Sequence, residues 1–408
     1  MSALTDTFTA IANAIRAKTE TQITYKPTEM ANAINNIETG GSLYYNVNGA
    51  NVTSLFNFPV TIAEDVTITT GMFYNCSNFN QPVVIPNSVT NTASMFSFCT
   101  NFNQPVTIPN NVTSIHGMFA GCSNFNQPVI IPNKVTSTAS VFSDCSNFNQ
   151  PVTIPNNVIN TIYMFSNCSN FNQPFTIAGG VTNTYNMFHN CRNFNQPVTI
   201  PNSVINAASM FNGCRNFNQI VTILNGVTNT SEMFYNCSNF NQPVVIPNSV
   251  TNTASMFSFC TNLNQPVTIS NKSTLTSYMF SGCSNFNQPV IIPNNVTNIS
   301  AMFYNCRNFN QAVTIPNSVI NIIRLFDNCT GFGNNVYVYP TSSLTRARVT
   351  NMFKNCNNQL LKHIFTNNTF VFNGTSATQS ITGTAITWTQ EGANYYNTAY
   401  NIYIHSVV

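Results

Sequence analysis

The stretch FNQPVVIPNSVTNTASMFSFCTN at residues 79–101 recurs with small changes along most of the chain. From Cys76 to Cys329 a cysteine stands at every twenty-third position, and a phenylalanine column from Phe56 to Phe332 keeps the same interval with one leucine substitute. A chain that winds one coil per repeat stacks each side chain on its equivalent in the next coil. The repeat therefore predicts a β-rich solenoid of about 13 coils.

Each coil contains a short segment with the alternation of a β-strand. Val83, Val84 and Ile85 predict a parallel strand with Val84 facing outward. Pro82 and Pro86 bracket this strand and limit it to about one pleat, because proline cannot donate to a ladder.

The rest of the coil predicts one helical turn and a polar corner. Met95, Phe96 and Cys99 have the spacing i, i+1, i+4, which places them on one side of a single helical turn. The corner column from Asn80 to Asn310 is asparagine in every coil. Stacked amides in this column are expected to satisfy the corner backbone.

The cysteine column admits three interpretations. Zinc requires converging ligands, and no coil has a second cysteine or a histidine in constant register, so we expect no metal site. Disulfides between neighbouring coils are disfavoured because parallel side chains in a ladder point alike. The favoured interpretation is a buried column of reduced, small apolar side chains.

Composition excludes several classes of function. Charged residues make up 6% of the chain against roughly 25% in typical soluble proteins, and the net charge is +3. We therefore expect no nucleic-acid partner. No run of 18 apolar residues occurs, so membrane insertion is not expected. Residues 1–20 show no signal peptide, so synthesis in a bacterial cytoplasm is expected.

The two ends of the chain depart from the repeat. Leu4, Phe8, Ile11 and Ile15 predict an amphipathic helix, and a second helix is expected from Pro27 up to the Gly40-Gly41 pair. A β-rich cap is predicted at the other end, with strands at 370–372, 386–388, 395–396 and 401–404. The predicted parts are a helical hairpin at 1–41, the solenoid at 42–335, and an irregular last coil with the β cap at 336–408.

The repeat pattern carries two family resemblances. V-x-I-P-N-x-V followed by M-F-x-x-C-x-N-F resembles the BspA-like leucine-rich repeats of bacterial surface proteins, over roughly residues 56–356. FNQP together with VTNTASMF resembles the related repeats of mycoplasma surface lipoproteins. The resemblance implies a curved solenoid used for adhesion, without catalytic residues. Two features depart from it: Pro82 and its equivalents shift the strand by one residue, and the expected secretion signal is not seen.

A third resemblance concerns the N-terminal module. Residues 4–34 resemble a short module of tail and fibre proteins of phages that infect Gram-positive bacteria. This resemblance implies attachment to other virion proteins, or oligomerisation, through the hairpin. A plain helical cap on the first coil is the alternative.

Candidate binding residues vary between otherwise similar coils. Aromatic and amide side chains on a rigid, uncharged surface suit sugars, through ring stacking and many weak hydrogen bonds. Arg192 and Arg215, one coil apart, could meet a phosphate or an acidic sugar. Unselected variation of the surface is the alternative. The candidates are Tyr163, Tyr185, His189, Arg192, Arg215, Tyr235 and Tyr278.

The sequence therefore favours a binding protein over an enzyme. The four histidines share no column with a nucleophile and its base, and no cofactor is expected. The leading hypothesis is a phage tail-fibre or receptor-binding protein of the virion, which contacts a host-surface glycan or protein through its solenoid and could form a homo-oligomer. The alternatives are a purely structural virion component and a BspA-like bacterial surface adhesin.

Overall fold

The structure is a computed structural model that describes residues 46–47, 50–51, 56–57, 59–338, 351–357, 359, 362–366, 389–391, 394–397 and 402–406. The predicted hairpin at 1–41 and the predicted strands at 370–372 and 386–388 lie outside these residues. The chain forms two compact units, Met1–Val158 (unit 1) and Ile159–Val408 (unit 2). Within the described ranges, no helix is long and apolar enough to cross a membrane.

Regular strands are short, and most of them lie in unit 2. The described strands are β1 (Asn46–Val47), β2 (Ala50–Asn51), β3 (Val198–Ile200), β4 (Val221–Ile223), β5 (Val244–Val245), β6 (Val267–Thr268), β7 (Val313–Ile315), β8 (Asn335–Val338), β9 (Lys362–Thr366), β10 (Thr389–Glu391), β11 (Asn394–Asn397) and β12 (Ile402–Ser406). β1 and β2 form an antiparallel pair, whereas β3–β4 and β5–β6 are parallel pairs. The remaining strands form one six-stranded sheet in the order β10-β11-β12-β9-β8-β7.

Strand pairing follows the register predicted from the repeat. Val198 lies opposite Val221, and Val313 lies opposite Val336. The predicted alternation is also confirmed, because Val83 and Ile85 are buried whereas Val84 is 79% exposed. The solenoid of short parallel strands is therefore the fold of the repeat region.

Flanking prolines limit the ladder between coils. In β4 the two flanking positions are Ile220 and Leu224 instead of proline, and the Leu224 N–H donates to the Ile200 carbonyl at 3.1 Å. Proline at the same position has no N–H to donate. Ser270 after β6 and Ala312 before β7 likewise replace prolines of the repeat. Each of the pairs β3–β4, β5–β6 and β7–β8 thus includes a strand with a restored donor, but Ala178 also replaces a proline in a coil without a ladder, so a restored donor is not sufficient.

Two stacked columns of phenylalanine rings fill the core of each unit. In unit 1 the Phe96 and Phe102 centroids lie 4.2 Å apart within one coil, and Phe96 lies 5.7 Å from Phe119 in the next coil. In unit 2 the Phe188 ring stacks on Phe211 in the same way at 5.7 Å. All five rings are fully buried. Such ring pairs contribute roughly 0.5–1.5 kcal/mol each beyond area burial.

The predicted helical turn is wrong: the segment is a run of tight turns that we call the turn segment, residues 92–99 in the example coil. Alternate N–H groups donate three residues back within the coil, and those between them donate to the next coil. The pairs within the coil are Met95 to Thr92, Ser97 to Ser94 and Cys99 to Phe96 at 2.9–3.1 Å, and those between coils are Ser94 to His116, Phe96 to Met118 and Phe98 to Ala120 at 2.6–2.9 Å.

Left-handed residues make this alternation possible. Ser94 has φ 53° and Phe98 has φ 61°, and the turn segments of the other described coils have one or both positions in the same conformation. A continuous helix would direct each N–H along its own axis. The two left-handed residues instead turn every second N–H towards the neighbouring coil.

The corner asparagines satisfy backbone groups, as predicted, but through a different contact. The Asn241 N–H donates to the Asn218 Oδ1 at 2.9 Å, and the Gln242 Nε2 donates to the same oxygen at 3.2 Å. Bonds between side-chain amides occur in a second, exposed column, where the Asn216 Nδ2 donates to the Asn193 Oδ1 at 3.2 Å. Two asparagines per corner thus join successive coils.

The cysteine thiols are buried but are not merely apolar. All thirteen are reduced and buried. The Cys214 Sγ lies 2.9 Å from the Phe188 carbonyl of the preceding coil, and the same contact recurs in both units. Burial raises the pKa of the Cys76 thiol from 9.0 to about 12 and raises that of Cys214 as well. The column therefore combines packing with a hydrogen bond between coils.

Candidate ligand-binding surface

The turn segments present two left-handed positions to solvent or to neighbouring side chains. The first left-handed position, immediately before Met-Phe or its equivalent, holds the most varied side chains of the coil. In unit 2 it is occupied by Tyr163, Asn186, Ser209, Glu232, Ser255, Tyr278, Ala301 and Arg324, all with φ between 51° and 58°. The second left-handed position is the residue before the cysteine. We call the surface formed by these positions and their neighbours the turn face.

Two predicted tyrosines meet on the turn face of unit 2. The Tyr163 and Tyr185 rings lie 5.5 Å apart at 88°, an edge-to-face contact, and Tyr163 is 36% exposed. A hydrogen bond with Tyr163 is the main cause that raises the pKa of Tyr185, followed by burial. The two phenols therefore form a fixed corner with exposed aromatic surface.

Polar groups of these turn segments and of the two that follow lie on the same face. His189 Nδ1 lies 3.4 Å from the Ser166 hydroxyl. The Glu232 carboxylate accepts from the Ser209 hydroxyl at 3.2 Å and from the Asn212 amide at 3.4 Å. Glu232 also interacts electrostatically with Tyr185, since it raises the pKa of that phenol. We refer to Tyr163, Tyr185, His189 and Glu232 as the tyrosine cluster.

Tyr235 and Tyr278 do not belong to this cluster by contact. Tyr235 instead packs edge-to-face with Phe259, with centroids 5.4 Å apart. Tyr278 is 44% exposed, and its backbone carbonyl accepts from the Ser258 hydroxyl at 2.5 Å. Both residues lie on the turn face of unit 2, but at separate places.

Arg192 and Arg215 lie in the corner that follows the turn segment. Both side chains are exposed, and they stand in adjacent coils. Their backbone carbonyls accept from Asn216 and Asn239 at 3.2 and 3.1 Å. The arginines therefore extend from the corner beside the turn face, where an anionic group could reach them.

Sequence reasoning missed two features of the turn segments. Phe98 and Phe259 occupy the second left-handed position and are exposed. Asp327 is buried and forms an ion pair with Arg324, with Nε and Oδ2 2.7 Å apart, while the same guanidinium lies 4.5 Å from the centre of the Tyr304 ring. The two phenylalanines could have been found from the sequence, because all remaining residues of that column are asparagine, aspartate or glycine.

The described residues supply no metal centre. In the parts of the chain that the structure describes, no group of three or more His, Cys, Asp or Glu side chains could hold a metal ion. The chemistry of the turn face is therefore that of aromatic rings, amides, hydroxyls and single charges. Such a set can stack on a ring and exchange hydrogen bonds with hydroxyl groups.

Comparison with known proteins places the chain among leucine-rich repeat solenoids. A leucine-rich repeat protein from Bacteroides ovatus superposes with a TM-score of 0.57 at 21% identity, over 73% of this chain and 76% of that chain. This likeness supports the fold. A leucine rich cell surface protein from Faecalibacterium prausnitzii (TM-score 0.44, 23% identity, 69% of this chain and 83% of that chain) and the pneumococcal vaccine antigen PcpA (TM-score 0.49, 12% identity, 80% and 92%) are less similar in structure.

The repeat region also identifies the family. The model of the family described as "Mycoplasma protein of unknown function, DUF285" matches residues 57–153, 109–199, 130–224, 178–246, 224–316 and 292–382. The chain belongs to this family. No curated protein matches the chain in sequence.

Proposed function

We propose that the protein is a surface adhesin of the BspA-like kind, which binds a glycan on the turn face of unit 2. The observation that carries the proposal is the tyrosine cluster. It combines an exposed aromatic corner with a carboxylate and an imidazole within four successive coils. Flat aromatic faces take up the C–H face of a sugar ring, and side-chain oxygens and nitrogens take its hydroxyls.

Rigidity of the turn segments supports the proposal. The Tyr163 N–H donates to the Tyr185 carbonyl in the next coil at 3.0 Å, and the Tyr185 N–H donates to the Asn183 Oδ1 of its own coil at 3.0 Å. These bonds fix the backbone under both rings. A ligand that binds such a surface loses less affinity to the ordering of loops. The resemblance of the repeat to bacterial surface proteins is consistent with the same function.

Binding to a printed glycan array tests the proposal. We expect the unmodified protein to bind a subset of glycans, and Tyr163→Asn to weaken binding to at least one of them tenfold or more. Tyr278→Asn is the matched control, because Tyr278 occupies the same left-handed column outside the cluster, where Asn186 shows that asparagine fits. Equal binding by all three proteins, or no binding by the unmodified protein, would contradict the proposal.

A second candidate function is a receptor-binding protein of a phage tail. Its support is the resemblance of residues 4–34 to tail and fibre modules. In this proposal the N-terminal module attaches to other virion proteins, and the solenoid contacts the host. Antibody labelling separates the two candidates: label on tail tips of particles favours the phage protein, and label on the surface of intact cells favours the adhesin.

A further inference from the structure

Two phenylalanines occupy a backbone conformation that suits other residues better. Phe98 and Phe259 both have φ 61°, in the left-handed region that favours glycine, asparagine and aspartate and is unfavourable for bulky residues. The full column is Asn75, Phe98, Gly121, Asp144, Asn167, Asn190, Gly213, Asn236, Phe259, Gly282, Asn305, Asn328 and Asn355. Phe98 is 46% exposed and Phe259 39%, so burial does not offset the cost of that conformation. Such outliers concentrate at functional sites.

The surroundings of the two rings are the same. Tyr74 packs edge-to-face with Phe98, with centroids 5.6 Å apart at 83°, and Tyr235 packs on Phe259 at 5.4 Å and 70°. Each pair thus forms an aromatic corner with part of the phenyl ring in solvent. One corner lies in unit 1 and the other in unit 2.

A glycine in the following coil makes room for each ring. A Cβ added at Gly121 would lie 2.6 Å from the Phe98 Cδ1, and one added at Gly282 would lie 2.6 Å from the Phe259 Cδ1. Real Cβ atoms do not approach that closely. The phenyl ring therefore lies directly over the glycine of the next coil.

An oxygen acceptor follows in the same column, one coil beyond each glycine. In unit 1 it is the Asp144 carboxylate, which accepts from the Ser143 hydroxyl at 2.9 Å. In unit 2 it is the Asn305 amide oxygen, which already accepts from the Asn328 amide at 2.8 Å and from the Arg307 Nε at 3.3 Å. Each aromatic corner is thus followed by a polar side chain two coils further along the same column.

The two places lie at the same position of a duplicated block. Residues 72–106 recur at 233–267 with one difference, Phe102 against Leu263, so the tyrosine and the phenylalanine are shared as part of that block. The chain between 107 and 120 differs at many positions from its counterpart, and Gly117, for example, corresponds to Tyr278. The glycine that accommodates each ring, Gly121 or Gly282, is nevertheless the same in both places.

From this arrangement we infer that Tyr74 with Phe98, and Tyr235 with Phe259, form two copies of one binding site for a neutral pyranose ring. The C–H face of the sugar packs on the exposed phenyl ring. A neutral ligand fits because amides and hydroxyls dominate a chain with 6% charged residues. These sites are separate from the tyrosine cluster, and the inference rests on the proposed function only for the class of ligand.

The chain itself provides a substitution that removes the ring without disturbing the fold. Asn190 is left-handed and is followed in its column by Gly213, and its Oδ1 lies over that glycine. Phe98→Asn and Phe259→Asn reproduce this arrangement. Because asparagine tolerates the left-handed conformation, both variants should unfold at the same urea concentration as the parent or a higher one.

Saturation-transfer NMR with defined sugars tests the inference. The probes are methyl β-D-glucopyranoside, methyl β-D-galactopyranoside and methyl N-acetyl-β-D-glucosaminide, with sorbitol as an acyclic polyol that lacks a ring face. The parent protein carries Tyr163→Asn, so that the tyrosine cluster does not contribute. We expect transfer to the ring C–H protons of at least one pyranoside and none to sorbitol. Each single phenylalanine variant should lose about half of the signal, and the double variant at least four fifths.

Three outcomes overturn the inference: no pyranoside signal with the parent, an equal signal from sorbitol, or an undiminished signal in the folded double variant. Failure of the proposed function is recognised separately, because it appears as glycan-array binding that is absent or insensitive to Tyr163→Asn. The NMR result depends on the phenylalanine variants and the array result on Tyr163→Asn, so one can fail while the other holds.

Discussion

Because of the column of buried thiols, we expect the free energy of unfolding to fall as the pH rises above 9. In the folded protein, burial raises the pKa of the Cys356 thiol to about 12, and burial likewise raises the pKa of seven further thiols of unit 2. The unfolded thiol has an ordinary pKa of 9.0. The unfolded state therefore releases protons from pH 9 upward while the folded state keeps them. The stabilisation is fully present below pH 9 and is lost as the pH rises towards 12.

The size of the loss follows from the number of thiols. Each thiol costs about 0.4 kcal/mol of unfolding free energy at pH 9 and about 1.4 kcal/mol at pH 10, relative to neutral pH. The eight thiols of unit 2 with a raised pKa together cost about 3 kcal/mol at pH 9 and about 11 kcal/mol at pH 10. Native domains have unfolding free energies of roughly 5–15 kcal/mol. We therefore expect unit 2 to unfold between pH 9 and pH 10.5.

Equilibrium urea unfolding, followed by circular dichroism in a phosphine reductant from pH 7.5 to 10, measures this loss. The matched control replaces four consecutive cysteines by serine, which does not ionise and can donate to the same carbonyls. These are Cys214, Cys237, Cys260 and Cys283. The control should lose about half as much free energy between pH 8 and pH 10 as the parent protein. Equal losses in the two proteins, or no loss up to pH 10, would refute the argument.

Three further predictions concern the contacts between coils. Asn218→Ala leaves the backbone N–H of the next corner without its acceptor and should lower the unfolding free energy by about 1–3 kcal/mol. Asn218→Asp keeps an acceptor oxygen and is the control. Urea unfolding compares the two variants, and equal losses of unfolding free energy would contradict the role of that oxygen. Gly226→Ala should cost about 1–3 kcal/mol because its Cβ would overlap a backbone carbonyl, while Gly179→Ala, with open space around it, should be nearly neutral in thermal melts. Deleting residues 240–262, one whole coil, should leave a protein that is folded by circular dichroism. Deleting residues 240–250 should not, because the equivalent residues of successive coils then no longer stack. The reverse result would exclude independent stacking of coils.

The sequence alone determined the period, the core and the outward face. The constant spacing of the repeat identifies Cys214 and Phe217 as buried, like their equivalents in the other coils. Distant parts of the chain need not be considered, because each coil stacks only on its neighbours. The alternation around Val84 predicted the exposed side of the strand for the same reason. The prolines likewise predicted that the strands would be short, since a missing N–H is a local property.

Tertiary structure decided the turn segment and the surface built on it. The spacing of Met95, Phe96 and Cys99 fits a helical turn and a run of tight turns equally well. The two conformations differ in the acceptors of the remaining N–H groups, those that do not bond three residues back. In the structure these N–H groups donate to carbonyls of the next coil. The meeting of Tyr163 with Tyr185, which belong to different columns of neighbouring coils, likewise follows from the offset of the two turn segments once the coils stack. Periodicity determines which residues share a column, but contact between unlike columns depends on backbone conformation that only the stacked coils fix.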